Sequence, residues 1–338
     1  MKQLVYIALF CTPLVHQAQV LPNYGGERAG LSALTFLKND INPRSLAMGG
    51  ASVANTGDAY SIFTNPAALT QLNHNTFSMQ NMFVGAGVNQ SFVSGTFPNA
   101  ERNDVFGFSI NGLNSGRIKE RTEFMPQGTG REFSVINMAF GLTYARKLSE
   151  QFSAGLSMKY IYENIADFTA HTAAIDMSFL YKTDWKDLQF AVVVANFSGN
   201  NALSNRDELP VDFNRTPGIA LDDNTLPILF SLGASARPYQ NGSHSIYTSF
   251  QINHPNDNAE NIRFGGEYDY ADVYFLRAGY RISVEGQHWP SFGFGVKAGI
   301  GENTMYIDYA ANPTNFVGMQ HLIGLRFALM HTGKAKKQ

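Results

Sequence analysis

Apolar and polar residues alternate one by one along most of the chain. From residue 152 to 162 the even positions are Phe152, Ala154, Leu156, Met158, Tyr160 and Tyr162, while the odd ones include Ser153, Gly155, Ser157 and Lys159. Residues 274–282 set Tyr274, Leu276, Ala278, Tyr280 and Ile282 against Arg277, Gly279 and Arg281. Residues 292–300 set Phe292, Phe294, Val296, Ala298 and Ile300 against Gly293, Gly295, Lys297 and Gly299. A period of two sends successive side chains to opposite faces of a strand. Similar patterns run through 76–83, 90–97, 105–111, 134–146, 172–182, 188–197, 228–236, 245–253, 262–270, 305–310 and 321–329. Together they predict about fourteen strands, of lengths suited to crossing a bilayer on a tilt (~9–11 residues).

A soluble sandwich also alternates, with its apolar face turned into a core. Two features favour a barrel in lipid. Tyr144, Tyr160, Tyr162, Tyr181, Tyr268, Tyr270, Tyr280 and Tyr309 fall near strand ends on the apolar face, as in the aromatic girdles of outer-membrane barrels. Connections after even strands are short (98–104, 147–151, 183–187, 239–244, 271–273, 301–303). Those after odd strands are often longer, notably 112–131 and 199–227, with 164–171, 254–260 and 285–291 following. Short turns on one rim and long loops on the other fit a barrel with both termini in the periplasm.

Composition narrows the choice. Only 15% of the 338 residues are charged, against about a quarter in soluble domains, so little is left to coat a water-facing surface. The net charge of −2 argues against a nucleic-acid partner. A mean hydropathy of −0.17, with no apolar run near ~18 residues, excludes a helical membrane bundle. The expected fold is all-β: a 14-stranded antiparallel transmembrane β-barrel over 76–330, with an N-terminal hatch containing short helices and with outer-membrane lipid around it.

Residues 1–18 read as a signal peptide, with Lys2, an apolar stretch over 4–15 and a cut after Ala18. The single cysteine, Cys11, lies inside it, so the mature chain is expected to hold no disulfide and no cysteine metal site. Residues 19–75 do not alternate and read as the hatch. Short helices are expected over 30–37 and 58–63, the second capped by Asp58. Met48-Gly49-Gly50-Ala51 reads as a tight turn, and Asn65-Pro66-Ala67 as a capped helix start. Lumen-facing charges, among them Lys159, Asp176, Arg263, Glu267, Arg277, Arg281, Asp308 and Arg326, are expected to pair with one another. Glycines on the same face leave room for the hatch. Residues 331–338, with Lys334, Lys336 and Lys337, read as a basic tail.

Phe36-Leu37-Lys38, the run Pro43-Arg44-Ser45-Leu46-Ala47-Met48-Gly49-Gly50-Ala51, Asp58-Ala59 and Asn65-Pro66-Ala67 resemble the start of PorV/PorQ family proteins. These are outer-membrane barrels of the type IX secretion system in Bacteroidetes. Their wider relatives are FadL-type long-chain fatty-acid transporters, fourteen-stranded barrels with an N-terminal hatch. Tyr306-Ile307-Asp308-Tyr309-Ala310 and Gly318-Met319-Gln320-His321 fit the end of the family, so the resemblance covers about 28–330. It implies a non-enzymatic part in protein export: binding a type IX translocon barrel, the C-terminal domains of cargo proteins or a cell-surface attachment complex. The docking groups would be apolar residues of the two long loops, Phe124 and Met125 in one, Leu209, Val211, Phe213, Ile219 and Leu221 in the other. The alternative is a FadL-type transporter of hydrophobic molecules. Strand kinks and an apolar pocket near the hatch would favour it, whereas the charged lumen weakens it. An outer-membrane hydrolase would need serine and histidine grouped on one rim. The histidines are scattered, and no cofactor motif is present.

Overall fold

The computed structural model describes residues 30–55, 57–199 and 224–329. The expected signal peptide and basic tail, and the loop residues Leu209, Val211, Phe213, Ile219 and Leu221, lie outside them. Sixteen strands occur in chain order: β1 (Asn75–Gly85), β2 (Val88–Asn99), β3 (Asp104–Asn114), β4 (Ile118–Lys119), β5 (Glu132–Phe133), β6 (Val135–Lys147), β7 (Phe152–Ile165) and β8 (Phe168–Lys182). They continue with β9 (Gln189–Ser198), β10 (Leu229–Asn241), β11 (His244–Pro255), β12 (Asn261–Tyr270), β13 (Tyr274–Ile282), β14 (Ser291–Ile300), β15 (Asn303–Thr314) and β16 (Gly318–Leu329). All but β4 and β5, which pair as a small hairpin inside one long loop, form a closed barrel of fourteen strands. Every barrel pairing is antiparallel, and β1 closes onto β16 from Asn75↔Leu329 to Phe83↔His321.

The alternation resolves into two surfaces. All fourteen barrel strands put large apolar groups outward, such as Phe77, Phe97, Phe106, Leu142, Leu156, Phe179, Phe190, Leu232, Ile252, Phe264, Leu276, Phe294, Ile307 and Phe327. Their inward neighbours, including Ser78, Thr96, Ser157, Ser178, Glu267 and Asp308, are buried. Soluble monomers tolerate apolar patches of a few hundred Å². A belt running around the whole molecule needs lipid.

Six connections (β2–β3, β6–β7, β8–β9, β10–β11, β12–β13, β14–β15) have two to six residues and define a turn rim. The opposite rim carries the long β3–β6 and β9–β10 connections. One expectation is corrected there: β7 and β8 run on to Ile165 and Phe168, leaving a two-residue hairpin where a loop over 164–171 was expected. Alanine at 166 takes the left-handed turn conformation (φ 54°), so the alternation simply ended before the pairing did.

The core lies in the lumen, between hatch and wall. Ile41, Leu46, Ala47, Ile62 and Leu69 pack with the inward Met82, Phe92, Val105, Ala145, Ala310 and Leu322. Leu34, Phe36 and Leu37 pack with Ala139, Ile161, Ala174 and Leu226. The described hatch begins at the loop rim, where Ser32 bridges Thr225, and reaches the turn rim at Asn75. Its helices are α1 (Pro43–Ala47) and α2 (Ser61–Thr64), with 3-10 turns at Thr35–Lys38 and Pro66–Gln71. The helix expected over 30–37 is thus only the 3-10 turn. The helix expected over 58–63 is α2, whose N-cap is Tyr60 with no side-chain cap; Asp58, two residues earlier, still accepts from Ser61 N at 3.1 Å.

Candidate functional site

The seven residues singled out in the hatch converge on the barrel wall. Helix α1 starts at Asn42-Pro43, with Asn42 Oδ1 accepting from Ser45 N at 3.2 Å. Met48, Gly49 and Gly50 then turn the chain against β12 and β13. Gly49 (φ 68°) and Gly50 (φ 77°) both need the left-handed region, where glycine carries no Cβ penalty. A Cβ on Gly49 would stand 2.7 Å from Tyr280 N. Gly49 N donates to Ser291 Oγ at 3.0 Å, and its carbonyl accepts from Arg281 Nε at 2.9 Å. Asn65 caps the second 3-10 turn by accepting from Ala67 N at 3.0 Å, and its Nδ2 donates to Val53 O at 2.6 Å. Ala67 N also donates to Ser178 Oγ of β8 at 2.8 Å.

Inward glycines of the wall receive these groups. A Cβ on Gly265 or Gly279 would collide with Met48, one on Gly155 with Pro66 and Ala67, one on Gly233 with Val53, and one on Gly324 with Pro43 and Tyr60. The glycines therefore form a fitted seat.

Arg44 joins hatch and wall electrically. Its guanidinium meets Glu267 of β12 through two bonds, at 2.8 and 2.6 Å, and Asp58 at 3.1 Å. Burial opposes the Arg44 charge, but Glu267 and Asp58 outweigh it and hold the group above its ordinary pKa. Glu267 also accepts from Arg277 Nε at 2.6 Å, and Arg277 reaches Asp308 at 2.6 Å. Asp308 faces Arg326 at 3.9 Å and accepts from Tyr60 Oη at 3.2 Å. Burial first, then Asp308, pushes the Tyr60 phenol well above its usual pKa. The network holds three cations and three carboxylates. Unpaired charges here would cost several kcal/mol each.

Two chambers flank the hatch. The outer one, about 200 Å³, has apolar walls from Leu37, Phe63, Val193 and Leu229, and also touches Lys159 and Arg263. It reaches the β11–β12 and β13–β14 connections at Ala259 and Val284, placing it on the loop side. The inner one, about 280 Å³, is polar and lies toward Asp187 and Asp272 on the turn side. Arg44, Glu267 and Arg277 line it.

The wall beside the outer chamber is irregular. Between Ile175 and Met177 the β8–β9 register shifts, and Asn196 takes φ 59°, a bulge that bends the strand. Asp176 accepts from Asn196 N at 2.7 Å and pairs with Lys159 at 2.6 Å. Lys159 also donates to Asn196 Oδ1 at 2.9 Å.

Phe124 and Met125 stand apart from all this, in the connection between β4 and β5, 93% and 54% exposed. His171, His244 and His321 bond tyrosines, and His254 bonds Glu260. Among the described residues no histidine bonds a serine, and no histidine, aspartate and glutamate cluster could hold a metal ion.

No family model and no curated protein matches the chain. Among solved structures it is similar to the Pseudomonas putida toluene transporter TodX, at 12% identity over 85% of this chain and 96% of that one, TM-score 0.54. It is similar to the Ralstonia pickettii toluene transporter TbuX, at 13% identity over 85% and 97%, TM-score 0.52. A Pseudomonas aeruginosa FadL homologue aligns at 11% identity over 88% and 99%, TM-score 0.52. At such identities the likeness is one of fold.

Proposed function

We propose that this chain is a non-enzymatic outer-membrane barrel that transports small hydrophobic molecules. The observation carrying this reading is the outer chamber, whose apolar wall of Leu37, Val53, Phe63, Val193 and Leu229 lies among the charged Lys38, Asp40, Lys159, Arg263 and Glu285, closed from below by the hatch and bordered by the bulge at Asn196. Its volume is under the ~300–1,000 Å³ of drug-sized sites, which suits a compact cargo. Of the lumen charges, the feature that weighed against transport, Lys159, Asp176, Glu267, Arg277, Asp308 and Arg326 are consumed in pairs, whereas Arg263, on the chamber wall, and Arg281 are in no ion pair among the described residues. The solved relatives named as toluene transporters agree with it. Deleting the gene and measuring uptake of labelled monoaromatic and aliphatic hydrocarbons tests it: uptake falls in the deletion strain and returns with the gene.

One observation favours a second reading, association with type IX secretion. Ile118, Phe124 and Met125 present apolar surface on an exposed hairpin loop, the kind of group a protein partner buries. The PorV/PorQ resemblance of the hatch motifs supports it. Cross-linking in intact cells tests it: a giant barrel or exported proteins would be captured. Normal hydrocarbon uptake together with lost surface export in the deletion strain would replace the first reading by this one.

A further inference from the structure

We propose that three tyrosine–histidine couples on the outer face of the barrel are docking sites for the phosphate of membrane lipids. The same device occurs in three hairpins. Tyr160 Oη lies 2.6 Å from His171 Nδ1 across β7–β8, His244 Nδ1 lies 2.7 Å from Tyr268 Oη across β11–β12, and Tyr309 Oη lies 2.7 Å from His321 Nδ1 across β15–β16. In each, the bonded tyrosine is two residues from the residue directly opposite the histidine (Tyr162, Tyr270 and Ala311). It therefore sits at the diagonal position within reach of an aromatic side chain. His171 and His244 lie beside second tyrosines, Tyr162 at 5.1 Å and Tyr270 at 5.2 Å between ring centroids.

The couples stand at the edges of the apolar belt. His171 is followed outward by Ile175, Met177 and Phe179, and His321 by Ile323 and Phe327. On β11 the outward face runs His244, Ile246, Thr248, Phe250, Ile252, His254. Ten residues at ~3.4 Å, on a strand tilted ~35–45°, rise about 25 Å, the height of the apolar band of such barrels. His244 thus marks the turn-side edge, while His171 and His321 mark the loop-side edge. Each leaflet meets at least one couple at headgroup depth.

The chemistry follows from counting hydrogens. A neutral couple has two, the phenol hydrogen and one imidazole N–H, and their mutual bond uses one. Whichever group donates inside the couple, one donor remains: Nε2–H in one sense, phenol O–H in the other. The headgroup layer is rich in phosphate oxygens, which accept and do not donate. An anionic acceptor makes the stronger bond.

The test uses the purified full barrel, with phosphatidylglycerol and a phosphate-free glycolipid of the same acyl chains as probes, read by native mass spectrometry. The wild-type barrel is expected to retain phosphatidylglycerol preferentially. The sixfold variant Tyr160→Phe, His171→Phe, His244→Phe, Tyr268→Phe, Tyr309→Phe, His321→Phe keeps the aromatic girdle, removes both donors of every couple and is expected to lose that preference, by about tenfold per couple, the worth of one hydrogen bond to a charged acceptor. Equal retention of both lipids by the wild-type barrel overturns the proposal without any variant being made. An unchanged preference in the folded sixfold variant overturns it too.

Discussion

The two arms of the hatch are held in different ways. The later arm, from Asn42 to Leu72, is bonded to the wall through its backbone, fitted over glycines and tied by the Arg44 network. The earlier arm, from Leu31 to Asn39, has a single 3-10 turn, an apolar contact through Leu34, Phe36 and Leu37, one wall side chain, Gln90 of β2, that donates to Phe36 O at 3.1 Å and accepts from Asn39 Nδ2 at 2.7 Å, and a clasp to the loops. That clasp is Ala33 N to Thr225 O at 3.0 Å, Lys38 to Asp257 at 2.6 Å, and Ser32 with the same carboxylate. Lys38 is 27% exposed in its pair, whereas Arg277 and Glu267 are each 2% exposed in theirs. Leu37 and Lys38 line the outer chamber beside Ser45, Val53 and Phe63 of the later arm, so both arms border the proposed cargo space and the first is the more lightly held. A hatch built this way is expected to open by releasing its first arm while the second stays seated.

The largest effect is expected at the seat. Gly279→Val places branched carbons against the Met48 carbonyl and Gly49 nitrogen, backbone atoms that cannot turn aside. Overpacking of this kind costs about 3 kcal/mol or more. The hatch should leave its seat, seen as protease cleavage within 43–71 and as large ion conductance in planar bilayers, both absent from the parent. A Gly279→Val barrel that stays closed and protease-resistant would remove the basis for a fitted later arm.

Next comes the ion-pair network. Arg44→Met leaves Asp58 without a cation among the described residues and Glu267 with Arg277 alone, and removing one member of a buried pair costs about 3–5 kcal/mol. Denaturant unfolding, followed by the mobility of the unheated barrel on gels, should shift by that amount. A shift below ~1 kcal/mol would make the network a surface-like feature and bring the two arms level.

How much of this was readable from residues alone follows from range. The strands were legible because period two is local, and Asn65-Pro66 announced a capped turn because capping is local as well. Asn42-Pro43 carries the same signature and begins α1, yet the apolar run after it hid the helix. Glycines such as Gly265 and Gly279 could be read as space for an insert, but that Met48 fills both depends on pairing 217 and 231 positions away in sequence. Arg44 stood out through its motif, while its partner Glu267 is 223 residues distant. The bulge left a faint trace: Ala191-Val192-Val193-Val194-Ala195 breaks the alternation just before Asn196.

A milder change tests the weaker arm. Lys38→Met leaves the buried Asp257 carboxylate with Ser32 alone, which costs about 1–3 kcal/mol, so unfolding should move less than for Arg44→Met. Uptake of hydrocarbon cargo should nevertheless rise, because the clasp opposes opening. Unchanged uptake would separate the clasp from gating.

The smallest perturbation of the fold gives the sharpest comparison. The mature chain is expected to hold no cysteine, since Cys11 lies within the signal peptide, so a pair introduced as Ser32→Cys and Thr225→Cys has no competing thiol. These two residues are bridge partners, close to the Cα separation of ~4.4–6.8 Å that a disulfide needs. Oxidation would fix the earlier arm to the loop rim without touching seat, network or belt. If that arm is the moving part, oxidised cells stop taking up cargo and a reductant restores them, with no change in barrel stability. Transport at the parental rate with the disulfide formed would mean that cargo passes while the earlier arm is in place. The difference between the arms would then be one of packing strength, with no bearing on passage.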